Sequence, residues 1–353
     1  MAALPDYRQA FLEILADRFS NDFDAFAGDV FFDGTTRTRV SLGDRFHEVS
    51  NHYLLGRRFL WQAGAIRAAR GAGVAVLELN PRIASVWVSL LIRRMSRRPT
   101  LLWGHAWSRK GSGSPTNALR GAMRALADGV ILYTTQQADE LRSVAGRTRI
   151  FVAPNAIYRS AEMHPTEGQE RTDFIYVGRL VGAKRPDLLM SAFILALDRL
   201  PPNVRLVFVG EGNLDQELRE RASSLSANRV VFHGHVADPA RLRSFYARAI
   251  ASVSPGFVGL SITQSLGYGV PMIIARDEPH SPEIEAAIEG KNAWFFEPTT
   301  APNLADALVA MASRPFDASA RAAISADCRH RYSAEAMADG FVDAIREVSV
   351  RST

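Results

Sequence analysis

Two clusters of residues have the types and spacing to handle an anion. The first is the run 254–271, Ser-Pro-Gly-Phe-Val-Gly-Leu-Ser-Ile-Thr-Gln-Ser-Leu-Gly-Tyr-Gly-Val-Pro, in which a small-residue turn opens into a short amphipathic segment closed by Gly269 and Pro271. That is the pattern of a loop feeding a helix. Free N–H groups at such a terminus, backed by the positive end of the helix dipole, suit a phosphate or the oxygens of a sugar. An ordinary strand-to-helix turn has the same local pattern, so other residues must decide. The second cluster is Gly178, Arg179 and Lys184, which follow the apolar run 174–177. Two cations at the C-terminal end of a parallel strand lie where open α/β sheets bind ligands, and they would meet a diphosphate with fixed charge. Exposed loop cations with no ligand are the competing reading.

Other motifs are weaker or negative. Val209-Gly-Glu-Gly-Asn-Leu-Asp215 places a Gly-x-Gly after a strand, but Asp215 stands where the dinucleotide fingerprint needs its third glycine. No Gly-x-x-x-x-Gly-Lys-[Ser/Thr] and no Gly-x-Ser-x-Gly occurs, which argues against P-loop phosphotransfer and a hydrolase elbow. Asp22-Phe-Asp24 spells an Asp-x-Asp, yet it sits far from the anion clusters and flanks an expected strand. No spacing suits zinc or iron, so no metal is expected. His105 ends an apolar run in Leu102-Trp-Gly-His-Ala-Trp.

The elements that must position these residues alternate. Short apolar runs at 23–27, 74–79, 100–104, 129–133 and 150–153 read as strands, separated by helical patterns at 6–18, 52–70, 82–95, 114–126 and 136–144. Strands at 174–177, 205–209, 230–233, 250–253, 272–275 and 293–296 repeat the theme, so the class is α/β with two Rossmann-like units. The first unit starts with a helix where a doubly wound domain normally starts with a buried strand. A polar, aperiodic seam at 158–171 separates the units, and Ser333 reads as the N-cap of a last amphipathic helix. The expected domains are 1–157, 158–332 and a closing helix in 333–353.

Composition bounds the function. The chain has 353 residues, 47% hydrophobic and 22% charged, with net charge +5. No apolar run reaches the length of a membrane span, and the first residues lack the basic start and apolar stretch of a signal peptide. A single cysteine, Cys328, excludes an internal disulfide framework and fits a reducing compartment. Arg93, Arg94, Arg97, Arg98, Arg109, Lys110, Arg120 and Arg124 crowd one span, either as a solvated face or as an attraction for an anionic lipid surface or a phosphorylated ligand. Nucleic acid is not expected, because no binding module accompanies the charge.

Gly-Arg-x4-Lys after a strand, the Gly-Glu-Gly strand end, Phe232-His-Gly-His-Val-Ala and the 254–271 run with its Gly-Val-Pro resemble, in that order, the C-terminal half of the group 1 glycosyltransferases, a retaining family of GT-B fold. Leu79-Asn-Pro-Arg, Leu102-Trp-Gly-His-Ala-Trp and Val152-Ala-Pro-Asn-Ala resemble the acceptor domain of its bacterial surface-polysaccharide members. The resemblance implies two Rossmann-like domains facing a central cleft, with a last helix crossing back to the first. It implies that Arg179 and Lys184 bind and neutralise the donor diphosphate beside Gly178. The backbone of Val258, Gly259, Leu260 and Ser261 would approach the β-phosphate and sugar, Val236 would contact the base, and His105 would act in the cleft. The family's Glu-x7-Glu is replaced by Gly256 and Gln264, so the usual sugar contact is lost or moves elsewhere while Gln264 can still hydrogen-bond a ribose.

The implied activity is a retaining hexosyltransferase that moves a sugar from a UDP- or GDP-linked donor to a lipid-linked or saccharide acceptor. Its setting would be cytoplasmic and peripheral to the inner membrane. No cofactor beyond that substrate is implied. A catalytically silent module binding a partner transferase or glycan, and a sugar-nucleotide epimerase, remain as alternatives.

Overall fold

The computed structural model describes all residues except 109, 110, 112, 145, 147, 166–169, 226, 227, 315 and 351–353. The chain divides into two compact units, Met1–Arg159 with Tyr332–Thr353, and Ser160–Arg331.

The first unit runs α1 (Gln9–Phe19), β1 (Ala25–Ala27), β2 (Phe46–Glu48), β3 (His52–Leu54), β4 (Phe59–Trp61), α2 (Ala63–Gly71), β5 (Ala75–Glu78), α3 (Ala84–Met95), β6 (Thr100–Trp103), α4 (Asn117–Leu126), β7 (Gly129–Leu132), α5 (Thr135–Arg142) and β8 (Arg149–Val152). Strands β5 to β8 form one parallel sheet in sequence order. Alternation sends Leu101, Trp103 and Ile131 to one face and Leu102, Val130 and Leu132 to the other, each into its own core. Among the described residues no strand precedes α1, and β1 pairs in parallel with β2 alone.

The helix expected over 52–70 is a correction. Its first part is an antiparallel hairpin, β3 against β4, turned by Leu55, Gly56 and Arg57 at φ 50°, 62° and 63°. Helix α2 occupies only the second part. His52-Tyr53-Leu54 and Phe59-Leu60-Trp61 flank a glycine turn, which is the signature of a hairpin rather than of one helix.

The second unit runs β9 (Asp173–Val177), α6 (Pro186–Ala196), β10 (Arg205–Val209), α7 (Asp215–Ser223), β11 (Val230–Phe232), α8 (Pro239–Ala247), β12 (Ala249–Ser254), α9 (Ser261–Gly267), β13 (Met272–Ala275), β14 (Ala293–Phe296), α10 (Ala301–Ala312) and α11 (Ala318–Tyr332). Its six strands are parallel in the order β11-β10-β9-β12-β13-β14. This is the doubly wound order, whose direction of growth reverses between β9 and β12. Phe174, Phe193, Phe208, Leu206 and Leu308 are among the residues of its core.

Helix α12 (Ala334–Ser349) closes the chain and packs on α1 in the first unit. Ser333 caps it, its hydroxyl accepting from Ala336 N–H at 3.2 Å. Part of the 158–171 seam is packed rather than free, since Met163 is buried and its carbonyl accepts from Ser325 Oγ. Residues 166–169 of that seam lie outside the described residues.

Candidate functional site

The reversal between β9 and β12 opens a crevice at the carboxyl ends of the two strands. Both anion clusters of the sequence fall there: the β9–α6 loop carries Gly178, Arg179 and Lys184, and the β12–α9 loop carries Gly256 to Leu260. Lys184, Ser254 and Ser261 line one small cavity at this place together with Tyr176 and Tyr246.

Lys184 is the electrostatic centre. Its ammonium donates to Phe257 O at 2.6 Å and stands 4.6 Å from the centroid of the Phe257 ring. Burial and the neighbouring Arg179 push its pKa down to about 8, against the opposing pull of Glu283. Arg179 is exposed, and its carbonyl accepts from Tyr176 Oη at 2.8 Å, which fixes the loop from below. A desolvated cation beside a second cation is unfavourable by itself and is relieved when an anion binds.

The Gly-Glu-Gly motif braces this loop. A Cβ on Gly210 would sit 1.9 Å from Gly178 O, and one on Gly212 would sit 2.2 Å from Leu180 O. The glycines therefore serve close backbone approach, sealed by Gly178 N–H to Val209 O at 3.0 Å and Leu180 N–H to Glu211 O at 2.9 Å. Glu211 Oε1 in turn accepts from His235 N–H at 3.1 Å, which ties in the β11–α8 loop next to Val236.

The β12–α9 loop is held from both sides. Gly256 is buried, and a Cβ there would lie 2.8 Å from Ala183 O and from Lys184 C. The place where the resemblance leads one to expect a glutamate side chain is thus filled by the backbone of the Lys184 loop. Val258 has both backbone groups engaged: its N–H donates to His280 Nδ1 at 3.1 Å and its O accepts from Ser281 N–H at 3.0 Å. Val258 thus acts as a strut of the loop, and the amides of Gly259, Leu260 and Ser261 lead from it into α9. Helix α9 stops in a Schellman motif, with Gly269 N–H to Leu266 O at 2.9 Å and Val270 N–H to Ser265 O at 3.0 Å. Gly269 has φ 72°, and a Cβ on it would meet Arg321 O at 2.6 Å, so the Gly-Val-Pro closure answers to both turn and packing. Gln264, one turn along α9, accepts from Tyr246 Oη at 3.1 Å.

The structure brings Gly178, Arg179, Lys184, Gly256, Gly259, Leu260 and Ser261 to one crevice, with Val236 on the loop after β11. His105 belongs to the first unit, exposed at the end of β6 with its ring 4.7 Å from that of Tyr133. Sequence reasoning missed His280, Glu283 and Tyr246, as well as Arg185, which pairs with Glu278 at 2.8 Å. Nothing in the spacing of Asp277-Glu-Pro-His-Ser-Pro-Glu283 announced contact with a loop more than twenty residues earlier.

Two further expectations change. Arg93 is fully buried and donates to the carbonyls of Ala69, Ala72, Gly73 and Pro99 and to Thr100 Oγ1, so it is an internal clamp. Arg120 donates to Leu79 O and His105 O, and Arg124 to Ala106 O, leaving Arg94, Arg97 and Arg98 as the exposed part of the basic span. Arg109 and Lys110 lie outside the described residues. Asp24 pairs with His47 at 2.7 Å.

Residues 161–327 match the family model of glycosyl transferases group 1. Over 150 residues the chain is 29% identical to the sulfoquinovosyl transferase of Arabidopsis thaliana, a match covering 41% of this chain and 28% of that protein, so it spans less than a third of this relative's length. Among solved structures, Anabaena HepE in complex with UDP is similar with a TM-score of 0.68 at 16% identity, covering 98% of each chain. The apo lipopolysaccharide outer core galactosyltransferase WaaB gives 0.66 at 16% identity over 98% of this chain and 97% of that one. Sucrose-phosphate synthase from Thermosynechococcus elongatus gives 0.65 at 17% identity over 96% and 92%. The chain thus has the GT-B fold of these neighbours, and its residues 161–327 are similar to the glycosyl transferases group 1 family.

Proposed function

We propose that this protein transfers a hexose from a UDP- or GDP-linked donor to a lipid-linked or saccharide acceptor with retention of configuration, in the assembly of a cell-surface polysaccharide. The observation that carries the reading is Lys184: a desolvated ammonium next to Arg179, at the reversal point of a doubly wound sheet and against the loop that opens α9. Arg179 and Lys184 take the diphosphate and offset its charge as the bond to the sugar breaks. The departing phosphate oxygen then accepts the acceptor's proton on the same face, so no protein nucleophile is required. His105 is proposed to act on the sugar or phosphate, Val236 on the base and Gln264 on the ribose, and no cofactor beyond the donor is proposed. The UDP and UDP-glucose complexes of HepE support the donor class.

The setting proposed is the cytoplasmic face of a membrane. No helix among the described residues is long and apolar enough to cross one. Support comes from the first unit, where Glu78 is the only acidic residue in 49–127. Leu91 and Met95 are exposed on the helix that carries Arg94 and leads to Arg97 and Arg98. Each cation near an anionic surface contributes roughly 1 kcal/mol.

Saturating UDP or GDP should raise the melting temperature, and transfer from a radiolabelled donor should give a product whose anomeric configuration matches that of the donor. No shift with either nucleotide would remove the donor site. A second reading, a binding module that does not react, is favoured by one observation, the closure of the Gly256 position. Nucleotide binding without product against any acceptor would select it.

A further inference from the structure

His280 follows β13 and reaches back to the β12–α9 loop. Its Nδ1 lies 3.1 Å from Val258 N and its Nε2 lies 2.6 Å from Ala275 O. One ring nitrogen faces a donor and the other faces an acceptor, which only a neutral imidazole protonated on Nε2 satisfies. The next residue adds a second tie, Ser281 N–H to Val258 O at 3.0 Å. On its other side the segment is held by Gly256 pressed against the Lys184 loop and by Phe257 N–H to Ala183 O at 3.2 Å.

We infer that His280 is a positioning residue that holds the Val258–Leu260 backbone in the form that receives the donor diphosphate, and that it does so only while its ring is neutral. The inference rests on the donor site proposed above. Protonating Nδ1 sets one N–H against another, and the Val258 amide must turn away or lose its partner. The groups facing the ring act in both directions. Lys184, from the β9–α6 loop, opposes a charged imidazole, while Glu278 and Asp277 on the ring's own loop favour it, and burial, the largest effect, opposes it. The balance lowers its pKa below the usual histidine value, so the contact is intact at neutral pH and is lost as pH falls through a point below about 6.5.

His280→Asn tests this, because the amide oxygen takes the place of Nδ1 and does not titrate. Two readouts are compared across about pH 5 to pH 7.5, the ordinary histidine range and below. One is the hydrogen-exchange protection of 257–260 in the free protein, corrected for intrinsic rates, with the β10 peptide as a reference for global unfolding. The other is UDP affinity by calorimetry, in which titration of UDP itself cancels between variants. Near pH 7.5 the wild type and His280→Asn should agree, and at the acid end the wild type should lose about fivefold in both readouts relative to the variant, the worth of one hydrogen bond. His280→Ala should be weaker by a similar factor at every pH. Parallel profiles for wild type and His280→Asn, or wild-type behaviour of His280→Ala, would overturn the inference. If the exchange pattern appears but no UDP binds at any pH, the donor-site reading fails and the diphosphate role of His280 with it, while its hold on the loop stands.

Discussion

At the scale of single residues, Lys184 and Gly256 define what the crevice can do. A diphosphate favours the protonated ammonium, and the free side chain loses its proton near pH 8. On the proposed donor site, UDP affinity should therefore be highest below that value and fall as pH rises through it, by up to tenfold per unit. Calorimetry between pH 7 and 9 should show this slope in the wild type and not in Lys184→Ala. The same variant should lower turnover by on the order of a hundredfold if its cation meets the leaving group, and unchanged turnover would take Lys184 out of the reaction. Gly256 makes the opposite kind of prediction. Because Ala183 O and Lys184 block its Cβ, Gly256→Ala should lower stability by about 1–3 kcal/mol, and Gly256→Glu should not gain donor affinity. Urea unfolding and UDP-sugar titration check the two. Arg179 and Lys184 were legible in the sequence because strand, glycine and cation spacing together encode a strand end. The closure at Gly256 was not, since it depends on backbone more than seventy residues earlier.

At the scale of elements, the glycine-rich turns illustrate how a local motif can answer to a distant neighbour. Gly210 and Gly212 spell part of a dinucleotide fingerprint, yet the backbone they admit is that of Gly178 and Leu180 rather than a pyrophosphate. The strands of the second unit were readable because they are short apolar runs, those of β9, β10, β12 and β13 largely buried on both faces, joined by parallel crossovers. The hairpin of β3 and β4 had one visible signal, its glycine turn, but its two three-residue strands are too short for a period-2 pattern and merge with that of α2. Arg93 shows the limit for charge: nothing in Arg93-Arg-Met-Ser-Arg-Arg98 distinguishes the one arginine that turns inward. Burial pushes its pKa down only to about 10, so it remains a cation bound by carbonyls. Arg93→Ala should strand the ends of α2 and the start of β6, with a loss of more than about 2 kcal/mol from unpaired buried carbonyls. Arg94→Ala, on the exposed side of the same helix, should change stability by less than about 0.5 kcal/mol and serves as the control in the same melts.

At the scale of the molecule, the first unit is not continuous in sequence. Residues 1–159 supply its sheet, but α12 returns from the far end of the chain to complete one of its two cores. The aromatic contacts mark the join: the ring of Phe341 lies 4.8 Å from that of Phe11 and 5.0 Å from that of Trp103. Gly340 allows the approach, since a Cβ there would stand 2.3 Å from Val152 O at the end of β8. Met337, Ala338, Val342 and Val348 add buried apolar surface on the same face, and side chains of this kind are worth about 1.5–3 kcal/mol each for the larger ones. That total is comparable with the whole stability of a domain of this size. Ending the chain after Tyr332 should therefore unfold the first unit while leaving the second, whose core contains no residue of α12, folded. Hydrogen exchange gives the readout: β5 to β8 should lose protection, β9 to β14 should keep it, and UDP should still protect the β9–α6 loop. Equal loss of protection in both units would mean that their stabilities are coupled through contacts other than α12. Full protection of β5 to β8 would mean that the first unit carries its core without the returning helix.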